Sequence, residues 1–188
     1  MTVTYSAAVK SARMTAVRDQ IDAGGAAGRL ELCSAAYAAV LATILLGYSG
    51  ASTGTVAGAV LTLAGFPRSD SSADAGGKPV LARVRTSAGA DVITGLTVGL
   101  SATAAPAWAG STTYVAGQYR TNGANQYKCV VGGVSAASGG PAGTGAGIAD
   151  GAVTWDYYSP AGADVQLDSL EITAGQTVTI NSAAFTHA

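Results

Sequence analysis

Both tryptophans of the 188-residue chain, Trp108 and Trp155, fall between residues 108 and 158, with five of its eight tyrosines, Tyr114, Tyr119, Tyr127, Tyr157 and Tyr158. Aromatic rings at this density do one of two kinds of work. Buried, each removes roughly 150–250 Å² from water and supplies a core to a unit too small for an aliphatic one. Exposed, a flat ring stacks on the apolar face of a sugar while polar neighbours bond its hydroxyls. Tyr114, Tyr127 and Trp155 are expected in a core. Trp108, Tyr119, Tyr157 and Tyr158 are the candidates for glycan contact. In "WDYY" (155–158), strand alternation puts Trp155 and Tyr157 on one face and Asp156 and Tyr158 on the other, and one of these faces is expected to be exposed.

Other chemistry is sparse. His187 is the single histidine, so neither a Ser-His-Asp triad nor a His-rich metal site is expected. Cys33 and Cys129 have no C-x-x-C spacing. They read either as a disulfide pair or as two small buried apolar side chains, the second being the ordinary state in a chain made in the cytosol. Asp70 and Asp74 lie in a Ser-rich loop, and Asp164, Asp168 and Glu171 lie near the end. Nothing singles out two of them as a glycosidase pair. No Gly-x-x-x-x-Gly-Lys-[Ser/Thr] loop occurs. Neither an enzyme nor a cofactor is expected.

Charged residues make up 11% of the chain, against roughly 25% in ordinary soluble domains. The mean hydropathy is +0.32. So few charges leave a lone domain little protection from association, which favours a subunit of a larger assembly. The net charge is −1 and no basic tract exists, so nucleic acid is not an expected partner. The run Val40–Leu46 is too short to span a bilayer, and "MTVTYSAAVKSARM" lacks the apolar region of a secretory leader.

The elements that must position these residues are mostly strands. Residues 6–23 read as a helix, with Ser6 as N-cap, Met14, Val17 and Ile21 on one stripe, and Gly24–Gly25 as the stop. Strand texture follows at 29–33, 39–46, 55–65, 79–86 and 90–99, and again at 163–172 and 176–185, with Gly, Ser and Asp turns between. "SDSSADAGG" (69–77) reads as a loop. The pattern predicts an antiparallel sandwich or barrel behind one N-terminal helix. Proline and small residues mark seams near 104 and 160. The prediction is therefore a β body, 1–103 plus 161–188, interrupted by a β mini-domain, 104–160. Lifting the mini-domain out leaves "DVITGLTVG" and "DVQLDSLEI" as consecutive strands. Within it, "RTNGANQYKCVV" signals a hairpin turning at Asn122–Gly123, and the glycine-rich 132–147 reads as a long loop beside any site.

The order Trp108, Tyr114, Gly117, Asn122–Gly123, Tyr127, Gly133, Pro141, Gly143, Gly145, Asp150–Gly151, Val153, Trp155 resembles the small carbohydrate-binding modules of the chitin-binding type (families five and twelve). Such modules recur as inserts in phage tail, fibre and surface proteins. The resemblance covers about 50 residues and implies a compact β unit with sugar-binding potential.

The body, through "MTAVRDQIDAGGAAGRLEL" (14–32), "SDSSADAGGKPVLARVRTSAGADVITGLTVG" (69–99) and "DVQLDSLEITAGQTVTI" (164–180), is similar to a family of small structural proteins of tailed phages and prophages. "LELCSAAYA" (30–38) departs from that family's usual strand-turn. The resemblance implies a virion component assembled in the host cytoplasm, on capsid, collar or tail, with no catalytic residues. The expectation is a homo-oligomeric surface protein that binds other virion subunits through its body and displays the insertion for weak, multivalent glycan binding. The alternatives are a purely structural cement protein and a tail-associated adhesin.

Overall fold

The Ser6 hydroxyl accepts the Val9 amide at 3.4 Å and caps α1 (Ala7–Asp22). Met14 and Ile21 are its buried residues, and Val17 packs beside them. The helix ends at Ala23 in extended conformation; Gly24 lies outside the described residues. The computed structural model describes residues 4–23, 25–47 and 53–186, and His187 also lies outside them.

The chain is mainly β, 44% strand and 11% helical, with the helix at the N-terminus and a curled multi-strand sheet forming a half-barrel. The strands are β1 (Arg29–Cys33), β2 (Val40–Leu45), β3 (Gly54–Ala57), β4 (Val60–Leu63), β5 (Arg68–Asp70), β6 (Leu81–Arg85), β7 (Asp91–Leu100), β8 (Thr113–Tyr114), β9 (Tyr119–Asn122), β10 (Asn125–Val131), β11 (Gly133–Val134), β12 (Ile148–Asp150), β13 (Val153–Pro160), β14 (Val165–Leu167) and β15 (Val178–Thr186). The body sheet runs β2-β1-β6-β7-β14-β15-β4-β3, with β5 also paired to β15. Leu30, Leu32, Ile44, Val84, Val98, Val165 and Ile180 alternate onto its buried face, where α1 closes the core. Among the described residues no helix is long and apolar enough to cross a membrane.

Several sequence readings are refined. The run 55–65 is two strands, β3 and β4, because Gly58 takes φ +60° and turns the chain back so that Ala57 pairs with Val60. Part of the expected loop 69–77 is strand, since Ser69 and Asp70 pair with Thr179 and Val178. The stretch that departs from the family pattern holds a short 3₁₀ turn with Ala36 at φ +53° and Tyr37 at φ +57°.

The outward face of β1 and β6 carries an ionic cluster. Glu31, 4% exposed, lies directly across from Arg83 and receives its Nε at 2.7 Å. Arg85 Nη1 approaches the other oxygen at 3.4 Å. Cys33 and Cys129 are both buried free thiols, one in β1 and the other in β10.

The β body is not uniformly antiparallel. β7 and β14, the strands that flank residues 104–160, are neighbours and run parallel, with Val165 opposite Val98 and Leu167 opposite Leu100. A parallel pair needs a crossover between its strands. The intervening segment serves as that crossover, so it is part of the body's topology.

Candidate functional site

Between β7 and β14 the chain builds a four-stranded sheet, β12-β13-β10-β9, and the two-stranded β8–β11 ribbon. The hairpin β9–β10 turns at Gly123–Ala124, one residue later than expected, with Asn122 opposite Asn125. This frees the Asn122 side chain, whose Nδ2 donates to the carbonyls of Gly139 (2.9 Å) and Pro141 (3.0 Å). Tyr127 Oη donates to the Gly143 carbonyl at 3.0 Å, and the Gly147 amide donates to Asp156 Oδ1 at 2.8 Å. The glycine-rich loop 132–147 is therefore tied down along its length.

The rings expected to form a core do meet in one. Tyr114, Tyr127 and Trp155 are 2%, 1% and 0% exposed and cluster with Cys129 and Val153. Tyr114 and Trp155 pack edge to face at 5.0 Å between centroids. At the polar end of this core sits Asp150, 4% exposed, a carboxylate that the sequence reading named only as a fixed point of the insertion's pattern. Its Oδ2 accepts both indole N–H groups, Trp108 Nε1 at 2.8 Å and Trp155 Nε1 at 3.0 Å. Its Oδ1 accepts the Ala136 amide at 3.0 Å. The turn pairing Asp150 with Val153 places that carboxylate next to Trp155.

The four candidate contact rings fare differently. Trp108 is half-buried, with its N–H committed to Asp150 and one part of its ring covered by Gly140. Tyr119 is half-buried against Tyr158 at 4.6 Å, and its hydroxyl donates to Glu171 Oε1 at 3.2 Å. Tyr157 is half-buried edge-on to Tyr127. Tyr158 is 8% exposed and belongs to the core of the body, so it offers no face to a sugar. The expectation that one side of "WDYY" is open is corrected. One side faces the mini-domain core and the other faces the body.

The contact between mini-domain and body is chemically specific. Gln126, 2% exposed, receives the Leu100 amide on Oε1 and donates Nε2 to the Leu100 carbonyl, both at 2.8 Å. The Ser159 hydroxyl donates to the same Oε1 at 2.6 Å. Gly99 leaves room for this seam, since a Cβ there would stand 2.5 Å from the Pro160 carbonyl oxygen. Lys128 Nζ donates to Glu171 Oε1 at 2.6 Å, bridging mini-domain to body. The bond to Lys128 holds the Glu171 carboxyl below its ordinary range and the Lys128 ammonium above its own. From the body, Lys78 donates to the Tyr158 carbonyl oxygen, and its ammonium stands 3.8 Å from the Tyr158 ring centroid. Burial pushes the Lys78 pKa down and raises the Tyr158 phenol. The Tyr158 hydroxyl itself is buried with no hydrogen-bond partner.

Beside this seam lies an open cleft of about 190 Å³, walled by Lys78, Val80 and Val98 from the body and Tyr157, Tyr158 and Pro160 from the mini-domain. On the mini-domain's β8–β11 side the surface is different. Val115 (61% exposed), Val131 (54%) and Val134 (51%) lie in the open. Val134 stands opposite Thr113 in the β8–β11 ribbon, Val115 follows Tyr114 of β8, and Val131 ends β10. Residues 105–119 and 129–149 contain no charged side chain.

Comparison with protein-family models, curated proteins and solved structures returned no match.

Proposed function

We propose that this chain is a non-enzymatic structural subunit of a phage particle, and that its inserted mini-domain braces a neighbouring copy of the chain. The observation that carries this reading is the exposure of three valines, Val115, Val131 and Val134, in stretches without a charged side chain. Depletion of charge with exposed apolar side chains is the composition of an interface core. A neutral face gains nothing from a charged partner, and this chain itself carries the matching neutral surface. The docked geometry supports the same reading. A mini-domain bonded to the body through Gln126 and Glu171 transmits load between subunits, which a tethered module does not. The resemblance of the body to small phage structural proteins supports reading the assembly as a virion built in the host cytoplasm.

The test is the mass of the purified chain by native mass spectrometry and sedimentation. The parent chain is expected to form a discrete oligomer. The triple substitution Val115→Asp, Val131→Asp, Val134→Asp is expected to yield folded monomer. An unchanged oligomer in that variant removes this face from assembly.

A further inference from the structure

The cleft at the seam of body and mini-domain has a different chemistry from the valine face. Its walls are apolar and aromatic, through Val80, Val98, Tyr157 and Pro160, with a single cation, Lys78. We propose that it binds one acidic sugar residue, a uronic acid, with the carboxylate on Lys78 Nζ and the ring's C–H face against Val80 and Tyr157.

Size, charge and availability each point the same way. A volume of about 190 Å³ falls below the roughly 300–1,000 Å³ of drug-sized sites and suits a single ring. One ammonium balances one negative charge. A phosphate monoester would bring roughly −1.5 to −2 and leave charge uncompensated in an apolar setting. An ammonium has three N–H donors, and the Tyr158 carbonyl takes one of them. The nearby Glu171 carboxylate does not line the cleft and is held by Lys128 and Tyr119. Val80 is 47% exposed, so the mouth is open to solvent. Val98 of β7 and Tyr157 and Pro160 of β13 come from two sheets joined by the Gln126–Leu100 bonds, and the segment carrying Lys78 and Val80 is held to β1 by the Val80 amide donating to the Cys33 carbonyl at 2.9 Å, so the site is formed before a ligand arrives. Burial lowers the Lys78 pKa, and an incoming carboxylate would offset that penalty by stabilising the charged amine.

This inference is independent of the assembly reading, because binding is measured on the dispersed chain. The probe is trigalacturonate, compared with its fully methyl-esterified form and with a short Asp-containing peptide, followed by amide chemical shifts of the full chain. The acid is expected to move Val80 and Tyr157, and the ester to bind at least tenfold more weakly. Lys78→Met is expected to lose at least tenfold in affinity. Val80→Asp, at an exposed position, is expected to abolish binding with an unchanged unfolding midpoint, which guards against a Lys78 variant that merely folds poorly. No shifts at the cleft, equal binding of acid and ester, or stronger binding of the peptide would each overturn the proposal. The last result would make the cleft a socket for a partner protein's carboxylate.

Discussion

The Gln126 side chain is bonded twice to one residue of another sheet, its carboxamide closing on the amide and the carbonyl of Leu100 at 2.8 Å each. At Leu100 the strand β6 has already ended, since its first residue, Leu81, pairs with Thr97. The Leu100 backbone groups would otherwise be stranded in the interior, and Gln126 takes the place of the missing strand. Replacing Gln126 with Ala should cost about 2–4 kcal/mol, because Leu100 N–H, Leu100 C=O and the Ser159 hydroxyl all lose a partner. Gln126→Glu should be no better than Ala, since it sets an oxygen against the Leu100 carbonyl. Urea unfolding, with hydrogen exchange at the Leu100 amide, measures both. A neutral Gln126→Glu would remove the Nε2 bond from the account.

Asp150 should anchor the mini-domain through the two tryptophans. Asp150→Ala leaves the Trp155 N–H buried without an acceptor and releases Trp108, at an expected cost of about 3 kcal/mol. Both tryptophans of the chain touch this carboxylate, so intrinsic fluorescence reports on it directly. An emission maximum that does not shift in Asp150→Ala would mean that the indoles are held by packing alone.

Tyr158 should weaken the protein at alkaline pH. Burial holds its phenol above the ordinary value, near 10 in unfolded chains. Above about pH 10 the unfolded chain loses this proton and the folded chain keeps it, so stability falls by up to about 1.4 kcal/mol per pH unit. Lys78 acts in the opposite sense. Its folded pKa lies below 10.5, and between the two values stability rises with pH. Tyr158→Phe should remove the loss and leave the gain, so the variant pulls ahead of the parent above pH 10. At neutral pH it should match or exceed the parent by up to about 1 kcal/mol, because the lost hydroxyl has no partner. Urea curves from pH 7 to 11 decide it, and parallel profiles would mean that the phenol ionises in the folded state.

Excision of residues 104–160 should damage the body. It removes Tyr158 from the body core and Gln126 from Leu100, and it deletes the crossover of a parallel pair. A variant with a short Gly/Ser linker is expected to lose cooperative thermal unfolding. A sharp transition near the parent's midpoint would show that the body stands alone.

Much of the sheet was readable because one face of each strand is apolar, as with Ala82 and Val84 between Leu81, Arg83 and Arg85 in β6. The helix was readable from the spacing of Met14, Val17 and Ile21. The parallel run of β7 and β14 was not, since adjacency in sequence says nothing about direction once a long segment intervenes. Gln126 went unremarked and Tyr158 was read as a glycan-contact ring for one shared reason. In a lone hairpin a glutamine and an alternate-parity tyrosine face water, but here the body covers that side. The signal was present in "WDYYSP", where large side chains of both parities mark a strand covered on both faces. The role of Asp150 was hidden because its partners are set by folding, with Trp108 42 positions away.

The most direct measurement is electron cryomicroscopy of assembled particles at a resolution that places side chains. The account predicts Val115, Val131 and Val134 buried against a neighbouring copy, with the mini-domain seated on its own body through Gln126. Those valines facing solvent, on a mini-domain swung away from the body, would contradict it.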